Sequence, residues 1–399
     1  MSLSHGREYL AIPGPSVVPD RVLNAMHVPS PNIYEGALVE MLPGLVGDLK
    51  AVARTRANLA IYIGNGHAAW EAALANVLAR GDRVLVLVNG VFGLGWAGIA
   101  ERLGAQVEIM DFGREAALDP ARVAERLRRD QAGEIRAVLA VHVDTSTSIR
   151  ADIAGLRAAI DAAGHGALFM VDAIASLGCN RVEMDAWGID VLVAASQKGL
   201  MCPPGLGLVF FSDRAAQARA RADCVTAYWD WAPRAAPEHF YQYFGGTAPV
   251  HGLLGLRAAL DMIAEEGGIG AVWARHEKLA RAIWAACDAW RAPDGLRMIV
   301  ADPAARSHAV TALALPAPEA TRLRQWCTDK AGVTLGIGLG MASPEDPGGD
   351  GFFRIGHMGH VNAHMVLGLL GAIEAGLEAL DIAHGPGALA AAARVIAEA

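Results

Sequence analysis

Residues 167–178 read ALFMVDAIASLG, and residues 190–205 read DVLVAASQKGLMCPPG. Each carries an unbroken apolar run, the pattern of a strand covered by helices on both sheet faces. Each run then ends on residues that water would ordinarily claim: Asp172 in the first, Gln197 and Lys198 in the second. A carboxylate or an ammonium at the tip of a buried strand is costly unless a partner or a covalent task holds it there. In open parallel sheets those tips are where ligands bind.

Outward from these two segments the same rhythm continues. Further strand-like runs occupy 59–63 (LAIYI), 83–88 (RVLVLV), 105–112 (AQVEIMDF), 136–143 (RAVLAVHV) and 207–212 (GLVFFS). Helical patterns such as HAAWEAALANVLA and ADIAGLRAAIDAA separate them, and another covers 37–54. The alternation predicts an α/β protein whose large domain is built on a mostly parallel seven-stranded sheet. From Tyr228 the stretch AYWDWAPRAAPEHFYQYFGGTAP is dense in aromatics and turn residues and reads as a long loop. Helical patterns follow near 250–265 and 269–291, then strand signals in HAVTALAL and FFRIGHMG, and an Ala-rich tail at 387–399. The expected organisation is an N-terminal arm (1–25), a large domain (26–265) and a smaller C-terminal α+β domain (266–399).

Composition narrows the function classes. The chain of 399 residues is 53% hydrophobic and carries a formal net charge of −8, without a basic run to track nucleic-acid phosphates. No stretch of about 18 apolar residues suggests a membrane span. Five scattered cysteines lack disulfide or metal-ligand spacing and read as reduced thiols of a cytoplasmic protein. No His/Cys/Asp cluster has metal spacing, so no metal is expected.

Two features carry chemistry. Strand LAIYI runs into Gly64-Asn65-Gly66-His67 and a helix follows at once. Free N–H groups at a helix start make such a turn a phosphate cup, although a plain tight turn has the same sequence. Asp172 and Lys198, for their part, fit opposite ends of pyridoxal 5′-phosphate (PLP). Its ring nitrogen needs an acidic partner and its aldehyde needs a lysine. An ordinary Asp–Lys ion pair across a cleft is the competing account.

Seven motifs in order resemble the class V aminotransferases, in particular the alanine/serine–glyoxylate branch. They are IPGPSVVP (12–19), GNGHAAWEAALANVL (64–78), NGVFG (89–93), HVDTSTS (142–148), VDAIASLG (171–178), SQKGLMCPPGLG (196–207) and FFRIGHMG (352–359). The resemblance implies the type I PLP-dependent aminotransferase fold and a homodimer. It also implies transamination between a small amino acid and a small 2-oxo acid such as glyoxylate or pyruvate. It makes Lys198 the lysine that condenses with the cofactor and later moves a proton, and Asp172 the partner of the ring nitrogen. Phe92 would stack on one face of the ring and Ile174 on the other, with Thr145 bonded to the ring oxygen. Asn65 stands in the phosphate loop where serine is common. Gly66, His67 and Gln197 match phosphate contacts, Thr247 matches one donated by the neighbouring subunit, and Arg354 matches the clamp for the substrate carboxylate.

Several positions depart from that pattern. Phe244 replaces a phosphate-site tyrosine, whose place Tyr243 is able to take. Ser148 replaces a glycine, and 30–36 (SPNIYEG) lacks a His-Arg pair common among glyoxylate enzymes. Rival readings remain on the residues alone. Gly93-Leu94-Gly95-Trp96-Ala97-Gly98 matches the dinucleotide fingerprint of an NAD-dependent dehydrogenase, but begins five residues after Val88 instead of in the turn. A cysteine desulfurase would need Cys327 as nucleophile. AVWARH (271–276) and RIGHMG also resemble pyridoxamine–pyruvate aminotransferase, an enzyme without the phosphate cup.

Overall fold

The computed structural model describes residues 2–293 and 295–398. All seven expected strands of the large domain form and join one sheet. From edge to edge it runs Asn58–Gly64, Gly205–Phe211, Val191–Ala195, Leu168–Asp172, Ile135–Val141, Arg83–Val88 and Gln106–Asp111. Gly205–Phe211 is antiparallel to both neighbours, and the remaining pairs are parallel. The central strands are buried at every residue, which is why their sequences run apolar without alternation. Separate apolar cores lie on the two faces, one around Leu42, Leu85 and Phe169, the other around Trp70, Val86 and Met170.

A second sheet of five strands forms in the order Tyr9–Ala11, Val333–Ile337, Phe352–Gly356, Val310–Ala314 and Arg297–Met298. Tyr9–Ala11 pairs in parallel with Val333–Ile337, so the N-terminal segment is built into the edge of this sheet. From there it crosses to the large sheet, where Ser16 N–H donates to the Gln197 carbonyl at 2.9 Å and Ser16 Oγ to the Lys198 carbonyl at 2.8 Å. The Ala-rich tail forms helix Ala388–Ala397, with Ala392 buried.

The stretch expected as a long loop contains two short helical turns, Ala232–Ala235 and Phe240–Phe244. Their anchor is Arg234, only 1% exposed. Its guanidinium lies over the rings of Tyr62 and Tyr228, at 4.4 and 4.7 Å from their centroids. It donates to the carbonyls of Ile61 (2.9 Å) and Tyr228 (2.7 Å). Trp231 stacks on Phe211 at 4.0 Å, so this aromatic packs as core. No helix among the described residues is long and apolar enough to cross a membrane.

Candidate active site

Strands Leu168–Asp172 and Val191–Ala195 are neighbours, with Asp172 opposite Val193. Their carboxyl ends therefore deliver Asp172 and the Gln197-Lys198 pair to one place. The Asp172 carboxylate is 4% exposed. It accepts the Ile174 N–H at 2.6 Å and the Trp70 indole N–H at 3.2 Å. Burial pushes its pKa up to about 7. Lys198 Nζ donates to the Pro13 carbonyl of the N-terminal crossing. Burial, then the charge of Arg354, pull the lysine down to about 8. Both side chains spend their hydrogen bonds on neutral groups and not on each other, which removes the plain ion-pair account.

The approach is tight. Gly14, at φ +96°, lies so close to the Lys198 side chain that any Cβ would overlap its amine. A Cβ on Gly199 would likewise overlap the Leu177 carbonyl, so only glycine lets the two strand-end loops meet.

A cavity of about 220 Å³ opens over these groups. Nine of the eleven site residues expected from sequence line it: Asn65, Gly66, His67, Phe92, Thr145, Asp172, Ile174, Gln197 and Lys198. Helix Gly66–Ala75 starts at its wall, and Asn65 caps that helix by accepting N–H groups from His67 (3.0 Å) and Ala68 (3.4 Å). Asparagine in place of serine is thus a cap-for-cap exchange. Phe92 sits in the first turn of helix Val91–Arg102. The buried Asp144 carboxylate anchors that turn, accepting from Phe92 N–H (3.0 Å), Gly93 N–H (3.4 Å) and Ser146 Oγ (2.5 Å).

Arg354 stands behind the cavity on strand Phe352–Gly356 and is 6% exposed. It donates from Nε to the Ile337 carbonyl (2.6 Å) and from Nη1 to the Thr145 carbonyl (2.8 Å). Burial lowers it to about 10, so it stays cationic at neutral pH with carbonyls as partners. Thr247 is not brought to this cavity within the chain. It lines a separate hollow of about 500 Å³ beside Pro203, Pro204 and His251.

Trp70 lines the cavity and Asp144 anchors the turn that carries Phe92, and the sequence reading passed over both. Trp70 was legible in principle, because it lies three residues after His67 and hence on the same helix face. Asp144 carried no signal beyond preceding Thr145.

A sequence profile described as aminotransferase class-V matches residues 50–356. The chain belongs to the class V aminotransferase family. It is accordingly a PLP-dependent transaminase. A serine–glyoxylate aminotransferase of Methylorubrum extorquens is 35% identical over 97% of this chain and 95% of its own. Among solved structures, the ureidoglycine–glyoxylate aminotransferase of Bacillus subtilis superposes with a TM-score of 0.87 at 26% identity, over 100% of both chains. The pyridoxamine–pyruvate aminotransferase of Mesorhizobium loti gives the same score and identity over 99% of each.

The site of this class V aminotransferase fits the cofactor on its own geometry. It offers an amine and a carboxyl group on one cavity, an aromatic ring and a branched apolar side chain to sandwich a flat ring, and a helix start for a phosphate. The Gln197 side-chain oxygen is buried at this wall and unpartnered among the described residues, and turned end for end the same amide presents its N–H groups to an anion.

The dehydrogenase reading fails on placement, because Gly93–Gly98 lies inside helix Val91–Arg102 and forms no phosphate turn. Cys327 is buried at the end of a helix and cannot serve as a desulfurase nucleophile on a mobile loop. Ser148 adopts φ 62°, the backbone that glycine favours, and offsets it by accepting the Ala312 N–H at 3.0 Å. Phe244 is fully buried against Phe240, a core role in place of a phosphate contact. His142 and His357 are buried and pushed down to about 3. No cluster among the described residues could hold a metal ion.

Proposed function

We propose that this enzyme moves the amino group of a small amino acid (serine, alanine or aspartate) to a small 2-oxo acid such as glyoxylate or pyruvate. The observation that carries the reading is the pairing of Lys198 with Asp172 on one cavity, with a buried, carboxylate-free Arg354 directly behind it.

Bound there, PLP supplies an aldehyde to take up nitrogen and a protonated ring to accept electrons from the substrate Cα. Lys198 would hold the cofactor through its amine and would serve as the base for the substrate Cα proton. Its depressed pKa leaves much of it neutral near pH 8, as a base must be. Asp172 would partner the ring nitrogen, Phe92 and Ile174 would cover the two ring faces, and Thr145 would meet the ring oxygen. The helix start at Asn65-Gly66-His67, with Gln197, takes the phosphate. Arg354 clamps the substrate carboxylate, for which a buried planar cation is suited.

Thr247 completes the phosphate site from a second copy of the chain, so the working unit is a homodimer with sites at the subunit interface. The protein acts in the cytoplasm on small molecules, without nucleic-acid or membrane partners. A second reading, transfer from unphosphorylated pyridoxamine to pyruvate, draws on the fold likeness to that enzyme. The retained helix cup favours the phosphorylated cofactor.

A panel of serine, alanine and aspartate against glyoxylate and pyruvate, with pyridoxamine plus pyruvate alongside, separates these readings. Absence of turnover with every amino acid pair would overturn the first. Borohydride reduction of the PLP-loaded protein should fix pyridoxyl mass on the peptide bearing Lys198. Lys198→Ala should lose both that label and turnover while keeping the fold.

A further inference from the structure

Trp70 presents a hydrogen bond that packing alone does not require. It is 1% exposed on helix Gly66–Ala75. Its ring is held by Trp96, stacked at 6.0 Å, by Phe92, edge-on at 6.3 Å, and by His67 at 4.6 Å. Its indole N–H points at Asp172 Oδ2, 3.2 Å away. Partnering is not automatic for tryptophans in this chain. The buried indole nitrogens of Trp96 and Trp290 find no partner among the described residues.

We propose that Trp70 is a positioning residue that keeps Asp172 a carboxylate, so that the proton shared with the cofactor ring stays on the ring nitrogen. The inference rests on the reading of Asp172 as the ring partner. Two N–H groups reach that carboxylate, from Ile174 to one oxygen and from Trp70 to the other. Donated hydrogen bonds stabilise the ionised form. They oppose burial, the largest influence on Asp172, which drives the group toward the neutral acid. The charged groups facing it are Asp144, which adds to that drive, and Lys198, which counters it. With its pKa near 7, Asp172 competes on near-equal terms with a pyridine nitrogen for one proton. Each donor to the carboxylate then shifts the proton toward the ring nitrogen, and a neutral ring is a poorer electron sink.

The test compares the wild-type holoenzyme with Trp70→Phe and with a variant carrying benzothienylalanine at position 70. The second keeps the bicyclic shape and replaces N–H by sulfur, so it remains informative if the first packs badly. Protein loaded with PLP carrying 15N in the ring should move, in both variants, from the protonated toward the neutral pyridine resonance. In ligand-free protein the 13C-carboxyl titration of Asp172 should rise by about one pKa unit, a roughly tenfold change in its ionisation constant. Turnover should drop through kcat more than KM.

An unchanged ring resonance and an unchanged Asp172 titration in both variants would overturn the proposal and leave Trp70 a packing residue. Failure of the wild-type protein to bind PLP would instead overturn the underlying reading, and the ligand-free titration would still report the Trp70 bond.

Discussion

Replacing Arg354 by Met should uncouple stability from activity, and the two signs can be worked from its surroundings. The side chain is 6% exposed and meets backbone carbonyls in place of a carboxylate. Its depression to about 10 from the ordinary guanidinium value, burial opposed by the attraction of Asp144, corresponds to a net penalty of about 3 kcal/mol, at ~1.4 kcal/mol per pKa unit. Below that pKa the charged form is the one buried, so the penalty is fully present at working pH. Methionine removes it and keeps the aliphatic stem.

Against that relief stand two lost hydrogen bonds. The Thr145 carbonyl belongs to a residue only 3% exposed, and leaving it unsatisfied costs about 1–3 kcal/mol. Ile337, 53% exposed, lies where water can replace the guanidinium at a cost of about 1 kcal/mol. The two sides nearly cancel, so the melting temperature of the ligand-free protein should move by only about 1–2 °C.

Activity has no such compensation. A substrate carboxylate that loses its buried cationic partner costs about 2–5 kcal/mol, or roughly 30-fold to several thousand-fold in kcat/KM. The assay pairs serine with ethanolamine, its decarboxylated analogue, as amino donors for the wild type and the variant. Serine should suffer the large loss and ethanolamine little. A loss under about threefold for serine, or an equal loss for both amines, would refute the assignment of Arg354.

Two further outcomes follow from buried groups. Asp172 has a folded-state pKa near 7, above the ordinary carboxyl value. The stability this group contributes to ligand-free protein is therefore full below the ordinary value and is lost as pH rises through about 7. Asp172→Asn should accordingly melt above wild type at about pH 8 and lose that advantage by about pH 4, and a pH-independent difference would count against the shift. At Ser148, the left-handed backbone costs about 1–2 kcal/mol and the bond from Ala312 N–H returns a similar amount. Ser148→Gly should thus stay within about 1 kcal/mol of wild type in denaturant melts, whereas Ser148→Ala keeps the strain and orphans a donor, for a loss of about 1–3 kcal/mol. A glycine variant weaker than the alanine variant would contradict this account.

The large sheet was legible because its inner strands are buried on both faces, which writes Arg83–Val88, Ile135–Val141, Leu168–Asp172 and Val191–Ala195 as apolar runs closed by polar residues, while the half-exposed edge strand Gln106–Asp111 shows mixed residues. Leu168–Asp172 and Val191–Ala195 match their sequence signals to within a residue or two. The small sheet was half legible for the converse reason. Val310–Ala314 is buried throughout and was read. Val333–Ile337 interrupts its apolar run with Thr334 and Gly336 and ends on an exposed Ile337. Tyr9–Ala11 is three residues long and becomes a strand only by pairing with a segment more than three hundred residues away.

The site divides along the same line. Of the nine proposed ligand-holding residues that line one cavity, Asp172, Gln197 and Lys198 at strand ends and Asn65, Gly66 and His67 at a helix start are marked by composition and spacing, whereas Phe92, Thr145 and Ile174 rest on the family resemblance. Residues proposed to set the electrostatics of those groups are marked only by helix spacing, as Trp70 is after His67, or not at all. Trp70 reads as one more apolar position on a helix, and its indole bond to Asp172 depends on how that helix lies against the sheet. Asp144 reads as a loop acid until helix Val91–Arg102 docks on it. Thr247 presents a third case, a residue whose expected ligand lies outside its own chain. One sequence folded once places it beside Pro203 and His251, and its proposed phosphate contact calls for a second copy. A mixed dimer would decide the matter. If one chain carries Lys198→Ala and the other Thr247→Ala, one of its two sites keeps both residues when Thr247 acts across the interface, and neither site does when it acts within its own chain.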